Sequence, residues 1–210
     1  MTIEQARNII YHCAKLYDTN LCNKQIMFVY KNANNTTDFV EVRFRSHNFL
    51  HFTGVKARKE LSANHFYKLA LNHKLSTNDF SFNSNHTTEL KLYVLPYIMR
   101  LDNSARMTGN YIGPHLELYT EKVTGTTTAC LGLIHIKDFY IPNSVLNEDI
   151  RDIIPKPPGK IFAIFKKEIK SHIYKKLSYK KKDILLTRSI LNESILSKID
   201  ISLLDEDIIS

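Results

Sequence analysis

The chain has no tryptophan, and cysteine, glycine and proline are scarce at three, six and six among 210 residues. Cys13, Cys22 and Cys130 are an odd number without C-x-x-C spacing. That excludes a disulfide framework and a zinc knuckle, and it predicts buried thiols in a reducing, cytoplasmic setting. No apolar run approaches the roughly 20 residues that a bilayer crossing needs, so no membrane partner is expected. Residues 1–5 lack the basic-then-apolar pattern of a secretory leader. Catalytic signatures are missing as well. There is no G-x-x-x-x-G-K-[ST] loop for an NTPase, no G-x-S-x-G elbow, and no acidic cluster of the kind that holds two magnesium ions over DNA. No internal repeat is visible.

Acidic residues are scarce in one place. Between Lys156 and Lys182 there are ten lysines against Glu168 alone, a local net of +9, whereas the whole chain carries +8. The basic character is therefore a local device. Phe162, Phe165, Tyr174 and Tyr179 are interleaved with the lysines. Cations that attract a phosphate backbone, with rings to stack on bases, point to polyanion binding, although charge runs are often only a solvated face. The candidate nucleic-acid contacts are Arg45, Lys166, Lys167, Lys170, Lys175, Lys176, Lys180 and Lys181.

With 43% apolar content, eleven tyrosines and eleven phenylalanines, a sizeable core can form. Thr2 is a suitable N-cap for a first helix reaching about Leu16. Residues 25–30 and 39–45, separated by an Asn/Thr-rich turn, predict a β-hairpin. Further helices are expected at 62–72 and 87–101, the latter interrupted by Pro96. Short strands are expected near Tyr111 and over 116–120, 129–137 and 161–165. Asn143 and Ser144 read as the entry to a helical turn running to Ile154, and Thr126, Thr127 and Thr128 as edge threonines. The predicted fold class is α+β: N-terminal helices on a small antiparallel β-sheet over residues 1–165, then a basic and finally acidic helical extension over 166–210.

Residues 43–56 carry the densest chemistry. Arg43, Arg45, His47, His51, Thr53 and Lys56 lie within fourteen positions, where a strand runs into a predicted loop. Histidines exchange protons near neutral pH, and cations hold a phosphate and the charge that builds on it. A His pair four apart can bind a metal, but no third and fourth ligands follow at zinc spacing, so neither a metal nor a cofactor is expected. His51, His47, Thr53, Arg43 and Lys56 are the candidate catalytic residues.

The stretch Asn48-Phe49-Leu50-His51-Phe52-Thr53-Gly54 resembles the N-F-x-H-L-T-G signature of the fourth class of phage barnase/EndoU/colicin/RelE-like nucleases. Phe52 departs from the usual Leu. Weaker matches follow at Phe66-Tyr67-Lys68, Leu75, Asp79-Phe80, Lys91, Gly132-Leu133 and residues 140–144, so that the resemblance covers roughly residues 25–170. It implies a small α+β fold and metal-independent RNA cleavage, with His51 and Thr53 at motif positions. The resemblance implies a phage or other mobile-element origin, and a toxin role is among the expectations. Two expectations result. One is an endoribonuclease in which His51 or His47 activates the 2′-hydroxyl and a 2′,3′-cyclic phosphate is left, with RNA, including a CRISPR guide, as substrate. The other is a non-catalytic anti-CRISPR protein that binds a Cas9-type effector.

Overall fold

The computed structural model describes residues 1–113 and 120–205. Helix α1 (Ile3–Asn20) opens with a capping box in which Thr2 and Gln5 satisfy each other's backbone N–H groups. Ala6, Ile10, Cys13, Ala14 and Tyr17 recur on its buried face. Strands β1 (Lys24–Lys31) and β2 (Thr37–Arg43) form the expected hairpin. The predicted loop contains instead a short helix, α2 (Asn48–Thr53), followed by β3 (Val55–Ala57). Helix α3 (Ala63–Leu71), capped by Ser62, leads to β4 (Phe80–Phe82), which pairs with β3. Helix α4 (Thr87–Ile98) carries Pro96 in its last turn, and the single turn α5 (Leu101–Ser104) follows.

The remaining strands are β5 (Met107–Asn110), β6 (Lys122–Gly125), β7 (Cys130–Ile136), β8 (Phe139–Leu146), β9 (Gly159–Glu168) and β10 (Lys176–Lys180). The sheet is larger than expected and mixed. Its order is β1-β2-β8-β7-β6-β5-β9-β10, and an additional β1–β9 pairing closes seven of these strands on themselves. The β2–β8 pairing is parallel, at Val42 and Tyr140. The strand expected over 116–120 lies largely outside the described residues.

Alternation on β1 and β2 shows how the layers are stacked. Ile26, Phe28, Tyr30, Val40, Val42 and Phe44 join one core with the helices. Met27 and Val29 join a second core with Phe162, Phe165, Tyr174, Leu186, Leu191, Ile195 and Ile199. A strand buried on both faces needs a continuous apolar run, and residues 26–30 supply one.

Two expectations for the C-terminal part are corrected. Residues 166–180 finish β9 and add β10, and among the described residues after β10 helix is confined to the short α6 (Glu193–Leu196) and a 3₁₀ turn at 201–203. The lysines of 175–182 lie in the segment expected to be helical, but they flank Leu177 and Tyr179, which pair with β9. Residues 165 and 166 both lie within β9. Likewise Asn143 and Ser144 are residues of β8, not a helix entry: Ser144 pairs with Gly132 of β7, and Asn143 lies at the register shift between that pair and Leu133–Pro142. Burial explains this: Ser144 is fully enclosed, a position an N-cap at a surface turn does not occupy.

Lys166 is buried, and its ammonium is bonded to Asp102 of α5 and to the Asn20 carbonyl at the end of α1. It ties the sheet to two helices and is not exposed to a ligand. Asp102→Ala should leave a buried, uncompensated charge and lower the unfolding free energy by about 3–5 kcal/mol in a denaturant titration. The double change Asp102→Leu with Lys166→Met should restore most of that loss.

Candidate active site around His51

Helix α2 forms because its apolar residues are spaced for one face. Phe49 and Phe52 are fully buried, with rings 5.4 and 5.7 Å from that of Tyr17. His47, at the N-cap, and His51, one turn later, are exposed. Residues four apart on a helix are neighbours, so the two imidazoles share an outer face. Six residues are too few for a periodicity signal, so the sequence pattern alone predicts a loop here.

Gly54 ends the helix at φ +65°, a conformation that costs glycine little and other residues more. Its carbonyl accepts hydrogen bonds from the Asn83 side-chain amide and the Thr88 hydroxyl, which fasten α2 to the start of α4. A Cβ at Gly54 would lie 2.7 Å from Cδ of Lys91. The missing side chain is therefore the space in which the Lys91 stem runs, and the lysine reaches His51 from α4.

The other neighbour of His51 is β8, where its Nε2 is bonded to the backbone carbonyl of Asn143. A carbonyl oxygen can only accept, so Nε2 carries the proton and the neutral ring has its lone pair at Nδ1. Although His51 keeps an exposed edge, partial desolvation by the protein around its ring lowers its pKa below the ordinary 6.5, the charge of Lys91 lowers it further, and the Asn143 carbonyl opposes both. Burial also lowers the pKa of Lys91. The imidazole is thus held as a free base near neutral pH, beside a cation. The Asn143 amide in turn donates to the Thr120 hydroxyl (3.2 Å), and a Cβ at Gly132 would meet that same hydroxyl at 3.0 Å.

The other sequence candidates separate. Thr53 is fully buried; its hydroxyl donates to the Leu50 carbonyl (2.7 Å) and accepts from Val55 N–H (3.3 Å), so it shapes the end of α2. Arg43 is not brought to His51. Val42 and Phe44 face the helices, whereas Arg43 lies on the opposite face, where it donates to Gln25 (2.8 Å) and stacks on Phe139 (3.7 Å). Arg45 is exposed just past β2, and its carbonyl accepts from Tyr17. Lys56 is exposed on β3, opposite Ser81. Among the lysines of the basic segment, Lys166 and Lys180 are paired with Asp102 and Asp205. Lys167 donates to the His172 carbonyl, while Lys170, Lys175, Lys176 and Lys181 are exposed. The Thr126 hydroxyl accepts from Thr128 and Ala129 N–H in the β6–β7 turn.

Sequence reasoning placed Lys91 and Asn143 in family-like motifs but not in the site. A signal for Lys91 existed: it is the one charge between Leu90 and Leu95 on an apolar helix, a position that favours burial of its stem. The contact with Asn143 had none, since a backbone carbonyl is invisible in sequence.

A family model described as "phage-Barnase-EndoU-ColicinE5/D-RelE like nuclease4" matches residues 9–183, and the chain belongs to this family. That makes it a member of a phage-associated nuclease class. The match reaches past the motif-level resemblance at both ends, taking in most of α1 and all of β10. No curated protein and no solved structure matches the chain.

Gly54→Ala tests how the site is held. A left-handed non-glycine residue costs of order 1–3 kcal/mol, and here the new methyl also displaces Lys91. Thermal unfolding should show that loss, and the His51 imidazole should titrate at a higher pH by NMR as Lys91 moves away.

Proposed function

We propose that the protein is a metal-independent endoribonuclease. The observation that carries this reading is His51: a neutral imidazole with its proton fixed on Nε2 by Asn143 and a lysine charge at its side. Nδ1 removes the proton from a ribose 2′-hydroxyl, and the 2′-oxygen attacks the adjacent phosphorus. Lys91 neutralises the additional negative charge on the phosphoryl oxygens. His47, one turn away on the same helix face, gives a proton to the 5′-oxygen as the P–O5′ bond breaks. The products are a 2′,3′-cyclic phosphate and a free 5′-hydroxyl. Membership of a nuclease family supports the reaction class; the choice of RNA rests on this chemistry, because only a ribose offers the 2′-nucleophile.

Labelled RNA, a Cas9 guide included, incubated in excess EDTA should yield fragments ending in cyclic phosphate. His51→Ala should lower the rate about 10²–10⁴-fold. Unchanged cleavage by that variant would falsify the assignment. Intact RNA that forms a stable complex would instead favour the binding protein that inhibits a Cas9-type nucleoprotein.

The rate should fall as pH drops through the pKa of His51, at a value below that of an ordinary histidine. Lys91→Met should move that acid limb upward, because one of the two influences lowering the pKa is gone. The limb in kcat should lie above that in kcat/KM, since bound phosphate cancels the lysine charge in the complex but not in free enzyme.

A further inference from the structure

At the end of the sheet where β1 begins and β9 ends, a cavity of about 350 Å³ is lined by Lys24, Lys166, Lys167, Lys175 and Lys176, with Glu168 the one acid on its wall. The charges divide by what they already hold. Lys166 is neutralised by Asp102. Lys24 donates to the Asp18 and Thr19 carbonyls, 3.2 and 2.8 Å away, at the C-terminal end of α1. Lys167 donates to the His172 carbonyl at 2.9 Å and lies over the Tyr174 ring at 4.6 Å, close enough to feel Glu41 but with no ion pair to it. Lys175 and Lys176 are exposed; Lys175 feels the charge of Asp200 without forming an ion pair with it, and Lys176 forms no ion pair among the described residues. A concave surface whose wall carries five ammonium groups and one carboxylate focuses positive potential.

The fold puts this cavity at the same end of the sheet as α2. The Lys24 carbonyl accepts from Phe44 N–H, the residue before Arg45, and α2 starts three residues after Arg45. In strand order β9, β1, β2 and β8 are consecutive. The cavity and the Asn143 carbonyl that holds His51 are thus about three strand spacings apart, roughly 14 Å. The exposed Arg45 follows the end of β2, between them in strand order. A few nucleotides of an extended single strand span such a distance.

We propose that this cavity is a second phosphate-binding site, which holds the backbone of the same single-stranded RNA a few nucleotides from the bond at His51. It rests on the ribonuclease reading for the identity of the strand, but not on cleavage. Its contacts are to phosphate, so it adds affinity and reach without base specificity. An acidic protein surface is the competing occupant, and the strand is favoured because family membership and the His51 site both call for nucleic acid.

The test is fluorescence anisotropy with 2′-O-methyl RNA, which has no 2′-hydroxyl to react, so binding is read apart from cleavage. Lys175→Ala with Lys176→Ala should weaken binding of an oligonucleotide long enough to span both sites by roughly ten-fold at moderate salt. It should also flatten the log–log salt dependence by about 1.4, two phosphate contacts at about 0.7 each for a single strand. A dinucleotide should lose nothing. Lys182→Ala, which removes an exposed charge outside the cavity, should change the slope little. Equal losses for long and short oligonucleotides, or an unchanged slope, would overturn the site. So would RNA binding left intact while polyglutamate binding is lost. Loss of long-strand binding in a protein that cleaves no RNA would sink the ribonuclease reading and leave this site standing.

Discussion

The antiparallel pairing of β1 with β9 is the constraint on which the rest of the molecule depends. It joins residues 24–31 to 160–168, the near-terminal parts of the chain, and converts an open row of strands into a closed one. Every side chain from Gln25 to Tyr30 is buried, half beneath the helices and half beneath the C-terminal segment. Neither layer can leave without exposing one face of that strand. The C-terminal segment is fastened by charge as well as by apolar contact. Buried Glu41 accepts from Gln25 (3.1 Å), the Tyr174 hydroxyl (2.9 Å) and Lys198 (2.8 Å), which leaves its carboxylate compensated inside the fold. Residues beyond β9 therefore complete the second core and are not an appendage.

Local pattern made much of this legible. The capping residue Thr2, the Ser62 cap, the alternation of β2 and the apolar run in β1 each carry their own signal, and each element is where that signal puts it. Sequence and structure part where long-range contacts decide. Lysines 175–182 look alike in sequence, yet three outcomes follow from tertiary placement: Lys180 is paired with Asp205, Lys175 and Lys176 line a cavity, and Lys181 and Lys182 face solvent. Asn143 and Ser144 have strong capping propensity, but β7 offers a ladder of hydrogen bonds that outweighs one cap. Arg43 lies close to His51 in sequence and on the wrong face for it, because successive residues of β2 point to opposite sides.

The site itself depends on one absent side chain. Gly54 permits the left-handed turn, presents its carbonyl to Asn83 and Thr88, and leaves room for the Lys91 stem. Position and electrostatics are thereby linked: the geometry that ends α2 also brings the charge that lowers the His51 pKa. On the ribonuclease reading the effect of this pairing is removed usefully during a turnover. In the free protein Lys91 and burial keep the imidazole unprotonated. When a phosphate diester settles on the lysine, the two charges cancel, and the imidazole then sits beside a neutral pair. Its affinity for a proton rises when the 2′-hydroxyl arrives to be deprotonated. The Asn143 carbonyl acts in the same direction, since an Nε2–H donated to it becomes a stronger hydrogen bond once the ring carries positive charge. A base held weak by its neighbours at rest and strengthened by its own substrate needs no movement of the protein between the two states.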